Sequence, residues 1–331
     1  MESKVTAPCL NSVNEFEAKA FVSHNLPPAP ERPLDSDCCG EGCVPCVMDI
    51  YQQELELWQE ECALILQGGE THNTLQDISS QEEFKLSTKM YRTFPITKID
   101  NEATDIIRVR CRLPPRQSLG LLLGQHVIIR FFGKDGISIT RQYTPVSPLT
   151  AKGFFELLIK IYPDGRASQM VKEWKVGDNI EIRGPMGHLN YKSNKFDKVL
   201  MLCAGTGVAP MCQVIHTILA DEEDDTYLRL IYAARDYSCL MGKEEITEWR
   251  RFWNFACLFM LSQEPANAPW RYKHGEEVQH GHVTEEVITQ GLGSTQFDKV
   301  LVLVCGTRSF DTDVLTCLKK IGIHETNIHR F

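Results

Sequence analysis

The sequence predicts an α/β plus β protein: a six-stranded antiparallel barrel, then a doubly wound parallel sheet, preceded by a small helical Cys-rich unit. Three observations predict it. Short β-like runs punctuated by Gly, Pro and Asp fill the middle of the chain. Strand and helix signals alternate in the last third. Near the N-terminus four cysteines crowd together ahead of an apolar stripe with helical spacing.

Composition bounds the reading. Of 331 residues 43% are hydrophobic and 24% charged, an ordinary globular balance with room for more than one core. The thirteen cysteines form no regular framework across the body. The start Met1-Glu2-Ser3-Lys4 has no apolar leader and no glycine for acylation, so reduced thiols in the cytoplasm are the expectation. No apolar run reaches the roughly 18 residues of a membrane span. Charge is uneven: Pro33 to Phe84 holds twelve acids and no Lys or Arg, whereas Lys85 onward holds 32 basic and 28 acidic residues. A mildly basic body is compatible with an acidic protein partner.

The elements follow in order. Residues 1–37, with Leu26-Pro27-Pro28-Ala29-Pro30 and Pro33, are expected to be a disordered tail. Residues 38–68 form the Cys-rich unit, whose Val47, Ile50, Tyr51, Leu55 and Trp58 share one helix face, and 69–90 read as an acidic linker. The barrel is expected over 91–194, with runs Ile106–Leu113, His126–Phe132, Phe154–Tyr162 and Asn179–Arg183. The parallel-sheet domain is expected over 195–331. Its strand runs are Val199–Cys203, Tyr227–Ala234, Ala256–Leu261 and Val300–Cys305, and helical patterns cover Ala209–Leu219 and Lys243–Phe252.

Three motifs carry chemistry. Arg141-Gln142-Tyr143-Thr144-Pro145-Val146-Ser147 closes a barrel strand, offering a bidentate cation for a pyrophosphate, a ring for a planar heterocycle, and hydroxyls. Gly165-Arg166-Ala167-Ser168 opens a helical segment and makes a second anion cradle. Cys203-Ala204-Gly205-Thr206-Gly207-Val208-Ala209-Pro210 links strand to helix; Gly205 and Gly207 permit close backbone approach to a dinucleotide, and Pro210 suits a first helical turn.

In this order, with Gly124-Gln125-His126, Leu158–Tyr162, Gly184-Pro185-Met186-Gly187, Cys305-Gly306 and a terminal Phe331, the motifs resemble the NADH-cytochrome b5 reductases of the ferredoxin–NADP reductase superfamily. The resemblance covers residues 91–331. It implies a flavoprotein reductase that passes a hydride from NADH to FAD and then single electrons to an external acceptor of cytochrome b5 type. By resemblance Arg141, Gln142, Tyr143, Thr144 and Ser147 hold FAD, Leu158, Lys160 and Tyr162 line it, and Gly165, Arg166, Ala167 and Ser168 take its pyrophosphate. Gly205, Thr206, Gly207, Pro210, Cys305 and Gly306 form the nicotinamide side, with Lys160, Thr206 and Cys305 nearest the chemistry. Lys160 is also read as a solvated strand-edge lysine, and Cys305 as a core thiol. The expected partners are the nicotinamide dinucleotide and the acceptor protein, with no nucleic acid and no integral membrane segment.

The chain departs from the family at three places. Ala204 and Ala209 replace the Gly and Thr of the Gly-rich turn, and Thr307-Arg308-Ser309-Phe310 replaces a Pro-rich loop after Cys305-Gly306. The acid that favours NADH is missing near Cys239. Arg235 can instead meet the 2′-phosphate of NADPH, while Asp236 can take the ribose hydroxyls. In the N-terminal unit Cys38, Cys39, Cys43 and Cys46 are candidate metal ligands, with disulfide pairing or a metal-free helical hairpin as alternatives. This unit resembles the oxidoreductase-like N-terminal domain. Other readings stay open: a different acceptor, a preference for NADPH, or an adaptor that keeps the fold without catalysis.

Overall fold

A computed structural model describes residues 26–33, 47–67, 85–133, 137–264 and 272–331. The candidate ligands Cys38, Cys39, Cys43 and Cys46 lie outside the described residues.

The middle of the chain is one sheet with strand order β1-β5-β4-β7-β2-β3-β6. Its members are β1 (Ala29–Pro30), β2 (Arg92–Ala103), β3 (Ile106–Arg112), β4 (His126–Phe132), β5 (Ile137–Tyr143), β6 (Phe154–Lys160) and β7 (Asn179–Met186). Strands β2–β3, β2–β7 and β3–β6 pair antiparallel. Alternation builds the interior: Phe155, Leu157 and Ile159 of β6 are buried with Val109 and Cys111 of β3, and Phe94 meets Phe155 edge to face at 5.4 Å. The Val146 N–H donates to the Glu156 carbonyl (2.9 Å), so the chain leaving β5 runs beside β6 and brings the two ends of the sheet together. Six antiparallel strands are therefore present, as expected, with β1 added at the edge.

That addition corrects the expectation of a disordered tail at residues 26–33; the rest of 1–37 lies outside the described residues. Residues 26–33 are an extended arm whose β1 pairs in parallel with Ile137 and Ser138 of β5. Pro30 has no N–H to give a ladder and is tolerated because β1 is an edge strand. Leu26 is buried, and the Trp58 indole N–H donates to the Pro27 carbonyl at 2.8 Å. Trp58 belongs to α1 (Val47–Leu66), the predicted amphipathic helix. Glu61, one turn on, pairs with the buried Arg130 guanidinium at 2.7 Å. The described parts of Met1–Asn73 thus form a compact unit with Arg130–Thr140, while Thr74–Ile129 and Arg141–Phe331 form a second unit.

The last third is a six-stranded sheet of order β11-β10-β9-β8-β12-β13, all of whose neighbours pair in parallel. Its strands are β8 (Lys198–Ala204), β9 (Tyr227–Ala234), β10 (Phe255–Leu261), β11 (Glu277–His280), β12 (Val300–Cys305) and β13 (Ile328–Arg330). β8, β10 and β12 read as continuous apolar runs because helices cover both faces. One face packs against α3 (Val208–Leu219) and α4 (Lys243–Trp249), the other against α5 (Glu285–Leu292) and α6 (Arg308–Ile321). The first of these cores continues into the barrel through Ile106, Val146 and Leu158. A short helix, α2 (Arg166–Lys172), follows β6.

Candidate cofactor site

The strand order runs outward from β8 through β9, β10 and β11 on one side, then turns to β12 on the other, so the switch point lies between β8 and β12. Ligands of doubly wound sheets bind beyond the strand ends at such a point. Here β8 ends at Ala204 and passes through a 3-10 turn, Gly205–Gly207, into α3. Gly205 has φ +53°, a left-handed conformation, and a Cβ there would meet open space. Gly207 is glycine for another reason: a Cβ on it would overlap the Cys305 carbonyl oxygen and lie 2.6 Å from its carbon. β12 thus seats its exit directly on the turn. Gly306 has the same logic, since a Cβ there would overlap the Phe310 ring and lie 3.2 Å from the Ala204 methyl. Thr206 is exposed at the crest of the turn, and Pro210 is buried in the first turn of α3.

Cys305 sits at the end of β12 in register with Cys203 of β8. Burial, with the Asp311 charge nearby, pushes its thiol up to about 12, so it is a neutral thiol at physiological pH and not a nucleophile in waiting. The departing segment Thr307–Phe310 is not a Pro-rich loop: Thr307 caps α6, its hydroxyl accepting from the Phe310 N–H at 3.4 Å. Asp311 in the first turn pairs with Arg330 of β13 at 2.9 Å, tying the chain end to the crevice.

On the barrel side, Arg141 and Gln142 are exposed at the end of β5, and Tyr143 and Thr144 are half-buried. Burial pushes the Tyr143 phenol up to about 12. Ser147 is buried, and its hydroxyl accepts the Glu156 N–H at 3.1 Å, so it ties the motif to β6. Across the ladder, Lys160 ends β6 with its ammonium 5.4 Å from the Tyr162 ring centroid. Leu158 is in the same row as Lys160, yet its side chain is in the shared core, with little exposed to line a ligand. Gly165 precedes α2; a Cβ there would lie 2.9 Å from the Ser168 hydroxyl and 3.2 Å from the Tyr162 Cβ. Buried Ser168 accepts the Tyr162 N–H at 3.0 Å, folding the second cradle onto the end of the same strand. Ala167 is buried beneath it, and Arg166 is the first residue of α2.

The two sides are joined by a residue the motifs do not point to. Gln213 of α3 is 1% exposed; its Oε1 accepts the Gly124 N–H (2.6 Å) and its Nε2 donates to the Gln125 carbonyl (3.1 Å). Its only sequence signal is one amide in the apolar helix Val208–Leu219. The residues present fit FAD and a nicotinamide dinucleotide: a cation and a ring end β5, a second cradle is built without a Cβ at Gly165, and open space lies over Gly205.

Beyond β9 the chain makes a tight turn. The Asp236 carboxylate accepts from the Ser238 N–H (3.0 Å), the Ser238 hydroxyl (2.5 Å), the Arg235 guanidinium (3.0 Å) and the Cys239 thiol (3.4 Å). Burial raises its pKa, but these bonds outweigh it and hold the carboxyl below the usual range.

Comparison with known proteins agrees with this geometry. Residues 93–191 match the model of the oxidoreductase FAD-binding domain, 201–315 that of the oxidoreductase NAD-binding domain, and 22–66 that of the oxidoreductase-like protein N-terminal domain. Relatives named NADH-cytochrome b5 reductase-like from Mus musculus and Homo sapiens are each 38% identical; the matches cover 91% of this chain and 95% and 94% of theirs. NADH-cytochrome b5 reductase 1 of Dictyostelium discoideum is 33% identical over 80% of this chain and 88% of its own. In fold, the cytochrome b5 reductase domain of Ulva prolifera nitrate reductase superposes with a TM-score of 0.67 at 23% identity, covering 76% of this chain and all of that one. A ferredoxin NADP+ reductase from Neisseria gonorrhoeae superposes at 0.60 and 19% identity, over 73% of this chain and 98% of its own.

Proposed function

Because the chain belongs to the NADH-cytochrome b5 reductase family, we propose that it takes a hydride from NADH onto FAD and hands single electrons to a haem protein of cytochrome b5 type. FAD supplies the conversion between a two-electron donor and a one-electron acceptor. The chain supplies binding and orientation. In this reading Arg141 and the Gly165–Ser168 turn bind the pyrophosphate and Tyr143 lies along the ring. Thr206 and the Cys305–Gly306 exit orient the nicotinamide, with Cys305 as a neutral thiol that packs and does not attack. Lys160 offers a positive charge at the end of β6.

One observation carries the reading: Gly207 lacks a Cβ where the Cys305 carbonyl lies against it, so the turn and β12 form one surface at the switch point. No helix among the described residues is long and apolar enough to cross a membrane, and we place the protein in the cytoplasm on composition alone. The acceptor is tested by mixing anaerobically reduced protein with ferric cytochrome b5 and following the haem absorbance. Reduction of about two haems per NADH is expected from the electron balance. Reduction of a ferric chelate or quinone with the haem left oxidised would move the acceptor elsewhere.

A second reading of the donor has its own observation. The Arg235 guanidinium is 56% exposed at the end of β9, where a 2′-phosphate of NADPH would be met. The Asp236 carboxylate beside it opposes that phosphate, so NADH is the preferred donor in the proposal.

A further inference from the structure

The turn after β9 is gripped from outside its own domain. Three points of the segment 236–245 are held by one hairpin of the barrel, β2–β3. Thr104 donates its N–H to the Ser238 carbonyl (3.1 Å), and its hydroxyl meets the Ser238 hydroxyl (3.1 Å). Glu102 accepts the Gly242 N–H at 3.0 Å, where Gly242 adopts φ +63° to begin α4. Arg108 reaches Glu245 of α4 at 2.5 Å while holding Glu102 at 2.8 Å and Glu156 at 3.2 Å. The Arg108 and Glu102 side chains are each 14% exposed, so these charges are largely out of water and their hydrogen bonds have few competitors.

Ser238 links the two sets of contacts. The hydroxyl that Thr104 touches is the same one that donates to Asp236, and Asp236 in turn holds Arg235. The relay runs from the barrel hairpin to the charged pair at the end of β9 through hydrogen bonds alone. The glycine turn Gly205–Gly207 lies against β9, which puts this pair on the same edge of the sheet as the crevice.

We infer that the β2–β3 hairpin, through Glu102 and Thr104, positions the Arg235–Asp236 pair and thereby sets how tightly, and in which phosphorylation state, the adenosine half of the dinucleotide is held. The inference rests on the reading above that the parallel-sheet domain binds the dinucleotide. Glu102 and Thr104 are positioning residues: they act through Ser238 and Gly242 and need not touch the ligand. Loss of their grip frees the turn, so Asp236 no longer presents a fixed carboxylate and Arg235 is released to follow a 2′-phosphate.

The test is calorimetric titration of the oxidised, FAD-loaded full chain with ADP-ribose and with 2′-phospho-ADP-ribose. Three variants are compared: Glu102→Ala, Thr104→Val and, as a direct probe of the turn, Asp236→Asn. Flavin content and melting temperature are recorded for each. The expected result is that Glu102→Ala weakens ADP-ribose on the order of fivefold or more, that the phosphorylated probe loses less, and that flavin content is unchanged. Thr104→Val, which removes only an exposed hydroxyl, should shift the ratio of the two affinities the same way by a smaller factor, and it answers the question if Glu102→Ala does not fold. Equal affinities in variant and unaltered protein, or equal weakening of both probes, would overturn the inference. Failure of the unaltered FAD-loaded protein to bind either probe would instead overturn the dinucleotide reading, and the inference with it.

Discussion

Gly207 and Cys305 are in contact across the switch point, with no room between the Gly207 backbone and the Cys305 carbonyl for even one methyl group. Gly207 has φ −63°, so any residue tolerates its backbone; space alone demands glycine. Gly207→Ala is therefore expected to push β12 off the turn. Flavin content should survive, because the barrel motifs are untouched, whereas NAD+ affinity should fall by about tenfold or more, as expected for overpacking costing about 1–3 kcal/mol. Calorimetry with NAD+ on the flavin-loaded variant checks it.

Ser168 tests the barrel side. Ser168→Ala takes the acceptor from the Tyr162 N–H in a part-buried setting, a cost of about 1 kcal/mol. The cradle between β6 and α2 should loosen and FAD should dissociate more readily. Flavin retained through gel filtration at low protein concentration measures this; full retention contradicts the assignment.

Much of this was legible beforehand, for physical reasons. β8, β10 and β12 announce themselves because they are buried on both faces and carry unbroken apolar runs. β2 does not: its twelve residues Arg92–Ala103 include Pro95 and seven polar or charged side chains, and only Phe94 and Ile96 mark its buried face. β1 is invisible to patterning because two residues, one of them proline, become a strand only through their partner β5. Within the candidate site, Arg141–Ser147 and Gly205–Gly207 are legible by residue type, since their proposed chemistry is local. Gln213 is not, because its role depends on Gly124 and Gln125, which are 88 or more positions away in sequence.

Arg130 and Glu61 give a prediction about the N-terminal unit. Arg130→Met removes a guanidinium whose side chain is 5% exposed and leaves the Glu61 carboxylate, 20% exposed, without it. Breaking this part-buried, charge-assisted pair costs on the order of 1.5–3 kcal/mol. Amides of α1 should then exchange hydrogen far faster, while flavin binding and NADH-driven reduction stay as they were.

A pH dependence follows from His126. Burial pulls its imidazole down to about 4, so the folded protein holds it neutral where an unfolded chain would protonate it at about 6.5. The unfolded state therefore binds more protons between these values, and stability is lost as pH falls from about 6.5 toward about 4. His216 and His329, also lowered by burial, add the same sign. His126→Gln should flatten the fall in melting temperature across that window; an unchanged slope would remove His126 from the account.

The central claim is that the chain carries FAD and reduces it with a nicotinamide hydride. Anaerobic titration of the purified, FAD-reconstituted protein with NADH, followed by the visible flavin absorption, tests it most directly. A yellow protein whose flavin band bleaches with about one equivalent of NADH is the expected result. A colourless protein that takes up no FAD, or a flavin band that neither NADH nor NADPH bleaches, would contradict it.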